Sequence, residues 1–122
     1  MGMSRELLGV AAELVSHAFR VISGDEGLRY GLALRLLAIE LGKVLKALCM
    51  NSFNSVSRCV NSISAASPEA GLAVSRVIEV ERALTSYTPL SDSAVEGAVK
   101  AFLSAYPEVF RFLEGPASRP RA

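Results

Sequence analysis

Residues 32–50, LALRLLAIELGKVLKALCM, decide the fold of this chain, because this stretch is rich in leucine and in other residues that favour helix. The leucines recur every three or four positions, which is the spacing that places side chains on one face of an α-helix. The stretch is long enough to cross a bilayer, but four charged residues interrupt it, and each costs about 2.5–3.5 kcal/mol at the membrane centre. We therefore predict a buried helix of a folded domain, from about Leu28 to Met50.

The two sides of this predicted helix differ in chemistry. One side has leucines at helical spacing and is expected to face the core: Leu34, Leu37, Leu41, Leu45 and Leu48. The other side has the charged residues Arg29, Arg35, Glu40, Lys43 and Lys46, with Leu32, Leu36 and Ile39 among them. A leucine among charges is covered either by the aliphatic stems of basic side chains or by another subunit. Leu32, Leu36 and Ile39 are therefore predicted oligomer contacts.

The composition predicts one domain that associates with another protein. A chain of 122 residues fits a single core, yet 51% of its residues are hydrophobic, and a small domain has difficulty burying that much apolar surface internally. A homo-oligomer or a protein partner is expected, with residues 1–115 forming the helical bundle domain and residues 116–122 a disordered tail.

Capping residues divide the rest of the chain into further helices. Ser4 is the expected start of a first helix that ends near Ile22, and a third helix follows Asn51. Ser67 and Pro68 predict the start of a fourth helix, which ends near Tyr87. A fifth begins at Ser91 or Asp92 and ends near Ala105, where Pro107 starts a short sixth. The fold class is therefore all-α: a single-domain bundle of five main helices plus a short C-terminal sixth.

Uncharged polar residues concentrate in residues 51–71, which hold every asparagine of the chain. As a helix, this segment places Phe53, Val56 and Cys59 on one side and polar residues on the other. Neutral amides and hydroxyls cost less to desolvate than charges, so this polar face is a candidate contact surface. Its members are Asn54, Arg58, Asn61 and Ser62.

The charge pattern has two interpretations, one of which is an anionic partner. Residues 28–66 sum to +4 in a chain of net charge +1, whereas the segments on either side of them, residues 1–27 and 67–115, are acidic. The basic residues Arg29, Arg35, Lys43 and Lys46, together with the polar face after Asn51, are candidate nucleic-acid contacts. The alternative is that the oppositely charged segments complement one another within the fold.

Two further features of the chain have alternative interpretations. Cys49 and Cys59 flank the turn between the second and third helices, so a disulfide is sterically feasible, but the lack of a signal sequence predicts a cytoplasmic protein with two buried thiols. Aromatic residues cluster near the C terminus, where they either close one end of the bundle or form a docking helix. The docking residues are then Val109, Phe112 and Leu113.

The sequence contains no pattern typical of catalysis, of a metal site or of a cofactor site. Its single histidine, His17, lies four residues after Glu13, a spacing more typical of an exposed helix pair than of a catalytic dyad. Glu79 and Glu81 point to different sides of a helix and are expected to be solvated. We therefore expect a non-enzymatic, self-associating interaction subunit without cofactor, metal or membrane contact. The alternative is a small nucleic-acid-binding subunit of a ribonucleoprotein or defence complex.

The amide content bears on the source of the protein. The chain has no glutamine and few asparagines, and such sparse thermolabile amides are compatible with a thermophile.

Overall fold

The computed structural model describes residues 2–24 and 29–114, with side chains from residue 5 onward. These residues form an all-α bundle, as predicted, and no strand occurs among them. The five helices are α1 (Gly2–Ile22), α2 (Tyr30–Phe53), α3 (Val56–Ala66), α4 (Pro68–Thr85) and α5 (Asp92–Leu113). The predicted tail, residues 116–122, lies outside the described residues.

Four long helices surround the core, and the short α3 lies at one end. Helix α2 is central, because it contacts each of the other four helices. Arg35 near the start of α2 meets Asp92 at the start of α5, and Ser67 before α4 meets Glu108 near the end of α5. Helices α2 and α5 therefore run in one direction and α4 runs in the other.

The leucines predicted to face the core do so. Leu34, Leu37, Leu41, Leu45 and Leu48 are all buried. A small residue of α2 also lets another helix approach, because the backbone of Gly42 lies directly against the aliphatic part of Glu81 on α4. Any side chain at position 42 would collide with Glu81 unless the two helices moved apart.

The local signals at helix starts are correct in two cases and wrong in one. The hydroxyl oxygen of Ser67 accepts a hydrogen bond from the Ala70 N–H at 3.3 Å, and that of Ser91 accepts one from the Ala94 N–H at 3.1 Å. Both are the predicted N-caps of α4 and α5. Ser4 is not a cap, because α1 already begins at Gly2.

The predicted break at Pro107 is also wrong. Helix α5 continues through Pro107 to Leu113, so the expected sixth helix is the last part of the fifth. Phe102, Ala105 and Val109 are buried at one continuous helical spacing, whereas Pro107 is exposed. The unbroken apolar face holds the helix together, while the bond that proline cannot donate is lost on the solvent side.

Candidate interaction surface

An apolar groove of about 300 Å³ runs between α1 and α2. Helix α1 contributes Leu14 and His17, and α2 contributes the apolar floor, which consists of Leu32, Ala33, Leu36 and Leu37. Leu32 is 61% exposed and Leu36 is 55% exposed, although both belong to the central helix of the bundle. The groove therefore contains two of the three residues predicted as oligomer contacts.

The position of these leucines follows from the period of α2. Leu34 and Leu37 point into the core between α1 and α5, so Leu32 and Leu36, which lie on the adjoining side of the helix, emerge beside α1. Ile39, the third predicted contact, is partly buried. The exposed Val10 continues the apolar surface on α1, because it lies one turn before Leu14.

Charged residues of opposite sign line the groove along α2. Arg29 directly precedes the helix, Glu40 lies three turns later, and both are exposed. A groove with an apolar floor and a polar rim is the usual anatomy of a protein contact site. The rim has no net excess of basic charge from α2.

Arg35 and Lys46, two of the predicted nucleic-acid contacts, bind other parts of the same chain instead. Arg35 forms an ion pair with Asp92 at 2.5 Å and donates hydrogen bonds to the carbonyl oxygens of Leu90, at 2.6 Å, and Gly31, at 3.2 Å. Lys46 forms an ion pair with Glu81 at 2.8 Å. These contacts support the alternative expectation that the basic middle complements acidic residues of the fold. Lys43 and Arg29 remain exposed.

Glu81 is buried, which corrects the expectation that it is solvated. Its residue surface is only 3% exposed, because it lies where α2 and α4 approach each other at Gly42. Its Oε1 atom is 2.8 Å from Lys46 Nζ but makes no aligned hydrogen bond within the described part of the chain. The Lys46 ammonium offsets part of the cost of burying the Glu81 carboxylate, and its removal would leave an uncompensated buried charge.

Part of the polar segment after Asn51 ends one helix and caps the start of the next. Asn54 adopts the left-handed conformation, with φ of 58°, and its N–H donates to the Met50 carbonyl at the end of α2. Ser55 is the N-cap of α3 and accepts a hydrogen bond from the Arg58 N–H at 3.2 Å. Asparagine tolerates the left-handed region and serine favours N-caps, so these two residues join two helices with a minimal connection.

The other members of the predicted polar face lie on α3. Arg58 and Asn61 are exposed there, and Ser62 is partly buried. Asn54 does not belong to α3, so the predicted surface is smaller than expected. None of these residues lines the α1–α2 groove.

Cys49 and Cys59 form a disulfide, which overturns the prediction of two thiols. Their Cα atoms are 5.4 Å apart, and both residues are fully buried where α3 folds back on the end of α2. The prediction failed because it rested on an assumed reducing compartment. The ten-residue separation and the helical hairpin were the available signals for a bond.

The C-terminal aromatic residues close one end of the bundle. Phe112 stacks on Phe53 with ring centroids 5.8 Å apart, and Phe102 and Phe110 meet edge to face at 6.2 Å. Val109 and Leu113 are fully buried in the chain's own core. These two cannot be the predicted docking contacts, because a partner would reach them only if α5 left the bundle.

A cluster of titratable residues at the start of α2 and α5 was not predicted. Lys100 Nζ lies 2.9 Å from Glu96 Oε2, and this hydrogen bond lowers the pKa of Glu96 and raises the pKa of Lys100. Burial and the nearby Glu96 carboxylate raise the pKa of Tyr30. The cluster links two helices that are far apart in sequence, so local patterns do not reveal it.

Other kinds of site receive no support from the described residues. No three histidine, cysteine, aspartate or glutamate side chains lie together there in a way that could hold a metal ion. No described helix combines the length and hydropathy needed to cross a bilayer. No protein-family model, curated protein or solved structure matches the chain.

Proposed function

We propose that this protein is a non-enzymatic helical assembly subunit that associates with a second copy of itself through the α1–α2 groove. The observation that supports the proposal is the exposure of Leu32 and Leu36 on the floor of that groove. Full burial of an exposed leucine side chain contributes about 1.5–3 kcal/mol, and Leu32 and Leu36 can contribute the part of this that corresponds to their exposed 61% and 55%.

The experiment measures the molar mass of the purified chain by sedimentation equilibrium across a range of concentrations. We expect a dimer at tens of micromolar for the wild type and a monomer for Leu36→Glu, because the carboxylate would have to be buried in the contact. Leu72→Glu is the matched control. Leu72 is 59% exposed on α4, and its replacement should leave the dimer intact. A wild type that stays monomeric at these concentrations, or equal dissociation by both variants, would contradict the proposal.

Nucleic-acid binding, the alternative function, has weaker support from the geometry. Of the four basic residues predicted as contacts in and directly before α2, two form ion pairs within the chain. The same purified protein provides the check, since bound nucleic acid raises the absorbance at 260 nm. A high ratio of the absorbance at 260 nm to that at 280 nm, which falls after Arg58→Ala, would favour this alternative.

The proposed location is the cytoplasm of a thermophilic organism. Disulfides are rare in most cytoplasmic proteins but are common in those of hyperthermophiles. The Cys49–Cys59 bond and the absence of glutamine both fit such a source. A melting temperature below about 65 °C, the range of ordinary mesophilic domains, would argue against it.

A further inference from the structure

We propose that the two copies pair through antiparallel α2 helices, related by a twofold axis that passes close to Ala33 and Leu36. This inference rests on the proposed function and adds the geometry of the contact. It follows from the order of charged and apolar residues along one stripe of α2.

The stripe consists of Arg29, directly before α2, and of Ala33, Leu36 and Glu40 on the helix, and all four line the α1–α2 groove. Successive members are four, three and four positions apart, which is the spacing of residues that share one face of a helix. The stripe therefore begins with a positive charge, has an apolar centre and ends with a negative charge about 16 Å further along the axis.

A surface of this kind complements a copy of itself. In a twofold pair every contact occurs twice, because residue i of one copy meets residue j of the other and the reverse. If the helices cross antiparallel with Ala33 opposite Leu36 of the second copy, Arg29 lies opposite Glu40 of the second copy at both ends. A parallel pair in the same register would place Arg29 opposite Arg29, which is unfavourable.

The charge arrangement also favours a second copy over an anionic partner. A polyanion requires a surface of one sign, whereas this stripe contains one cation and one anion. The other basic residue at this level of α2, Arg35, points away to Asp92 and does not alter the balance. The apolar centre supplies affinity, and the two charged ends determine direction and register.

The experiment uses charge reversal in full-length chains. Arg29→Glu places a carboxylate opposite Glu40 at both ends of the pair, and Glu40→Arg places two cations there. Each variant alone should raise the dimer dissociation constant by about tenfold. When the two variants are mixed, each repulsive contact becomes an attractive one, so the mixture should form a heterodimer about as stable as the wild type.

The controls separate this pairing from a general effect of net charge. Arg82→Glu and Glu79→Arg make the same charge changes at exposed positions on α4. They should leave the dissociation constant within about twofold of wild type, both alone and mixed. Each variant alone should have a higher dissociation constant than the mixture of the two. High salt should reduce this difference, because it screens exposed charges.

The outcomes distinguish the pairing from the proposed function. If the wild type is dimeric and Leu36→Glu is monomeric, but mixing the Arg29→Glu and Glu40→Arg variants restores nothing, the groove is an interface and the antiparallel pairing is wrong. If the wild type is monomeric, both proposals fail. Recovery in the mixture, with no such change in the controls, supports the antiparallel pair.

Discussion

At the α3 end of the bundle the Cys49–Cys59 disulfide joins α2 to α3 and Phe53 stacks on Phe112, whereas at the opposite end α2 and α5 meet through charged side chains. The α3 end is held together by stacked aromatic rings and a covalent bond. The opposite end, with the Arg35–Asp92 and Glu96–Lys100 ion pairs, remains in contact with solvent and lies beside the exposed leucines of the groove. One chain thus has a region specialised for stability and another that is available for contact.

The largest effect expected from this comparison is on core packing. Ile63→Ala removes a side chain that is 1% exposed at the α3 end, and we expect a loss of about 2–5 kcal/mol in the free energy of unfolding. Leu36→Ala, in the groove, should change the free energy of unfolding of the monomer by no more than about 0.5 kcal/mol. Denaturant titration at a concentration too low for association provides both values. Similar losses for the two variants would show that the groove belongs to the core.

The disulfide gives the next largest effect. Reduction of Cys49–Cys59 should lower the free energy of unfolding by about 2–3 kcal/mol. The bond joins two residues ten positions apart and so lowers the conformational entropy of the unfolded chain. Denaturant titration with and without a reductant measures the loss, and the Cys49→Ala/Cys59→Ala variant should not respond to the reductant. Alkylation of both cysteines in the unfolded, unreduced chain would show that the bond is absent.

The smallest effect concerns pH and the opposite end. The hydrogen bond from Lys100 keeps the pKa of Glu96 below its ordinary value of 4.5 in the folded chain. Its stabilising effect is therefore complete above that value and is lost as the pH falls through the lower, folded-state pKa. The stability difference between the wild type and Glu96→Gln should shrink below about pH 4.5. A difference that stays constant from pH 7 to pH 3 would show that the ion pair contributes nothing.

The features that the sequence predicted are those set by local spacing. The buried face of α2 follows from leucines three and four residues apart, and the caps at Ser67 and Ser91 depend on bonds to N–H groups three residues away. The position of Leu32 and Leu36 among the charged residues follows from the same spacing, and both are exposed in the single chain. What covers them depends on assembly and not on spacing within one chain.

The features that the sequence did not predict depend on residues far apart in the chain. Arg35 and Asp92 are 57 positions apart, so nothing near Arg35 indicated that its charge is used within the fold. Glu81 became buried because Gly42 allows α4 to approach α2 at that point. At Pro107 the local preference against helix predicted a break. The packing of the residues on both sides of the proline overrides that preference, and the helix continues.

The short connection between α2 and α3 also limits the ways in which two chains can combine. Helical proteins sometimes dimerise by domain swapping, in which a hinge opens and each copy donates an identical element to the other. Here the hinge would be Asn54 and Ser55, yet the disulfide spans it and holds α3 against its own α2. While that bond is intact, α3 and the helices after it cannot be exchanged by opening this hinge, so an oxidised dimer cannot be a product of exchange at that point.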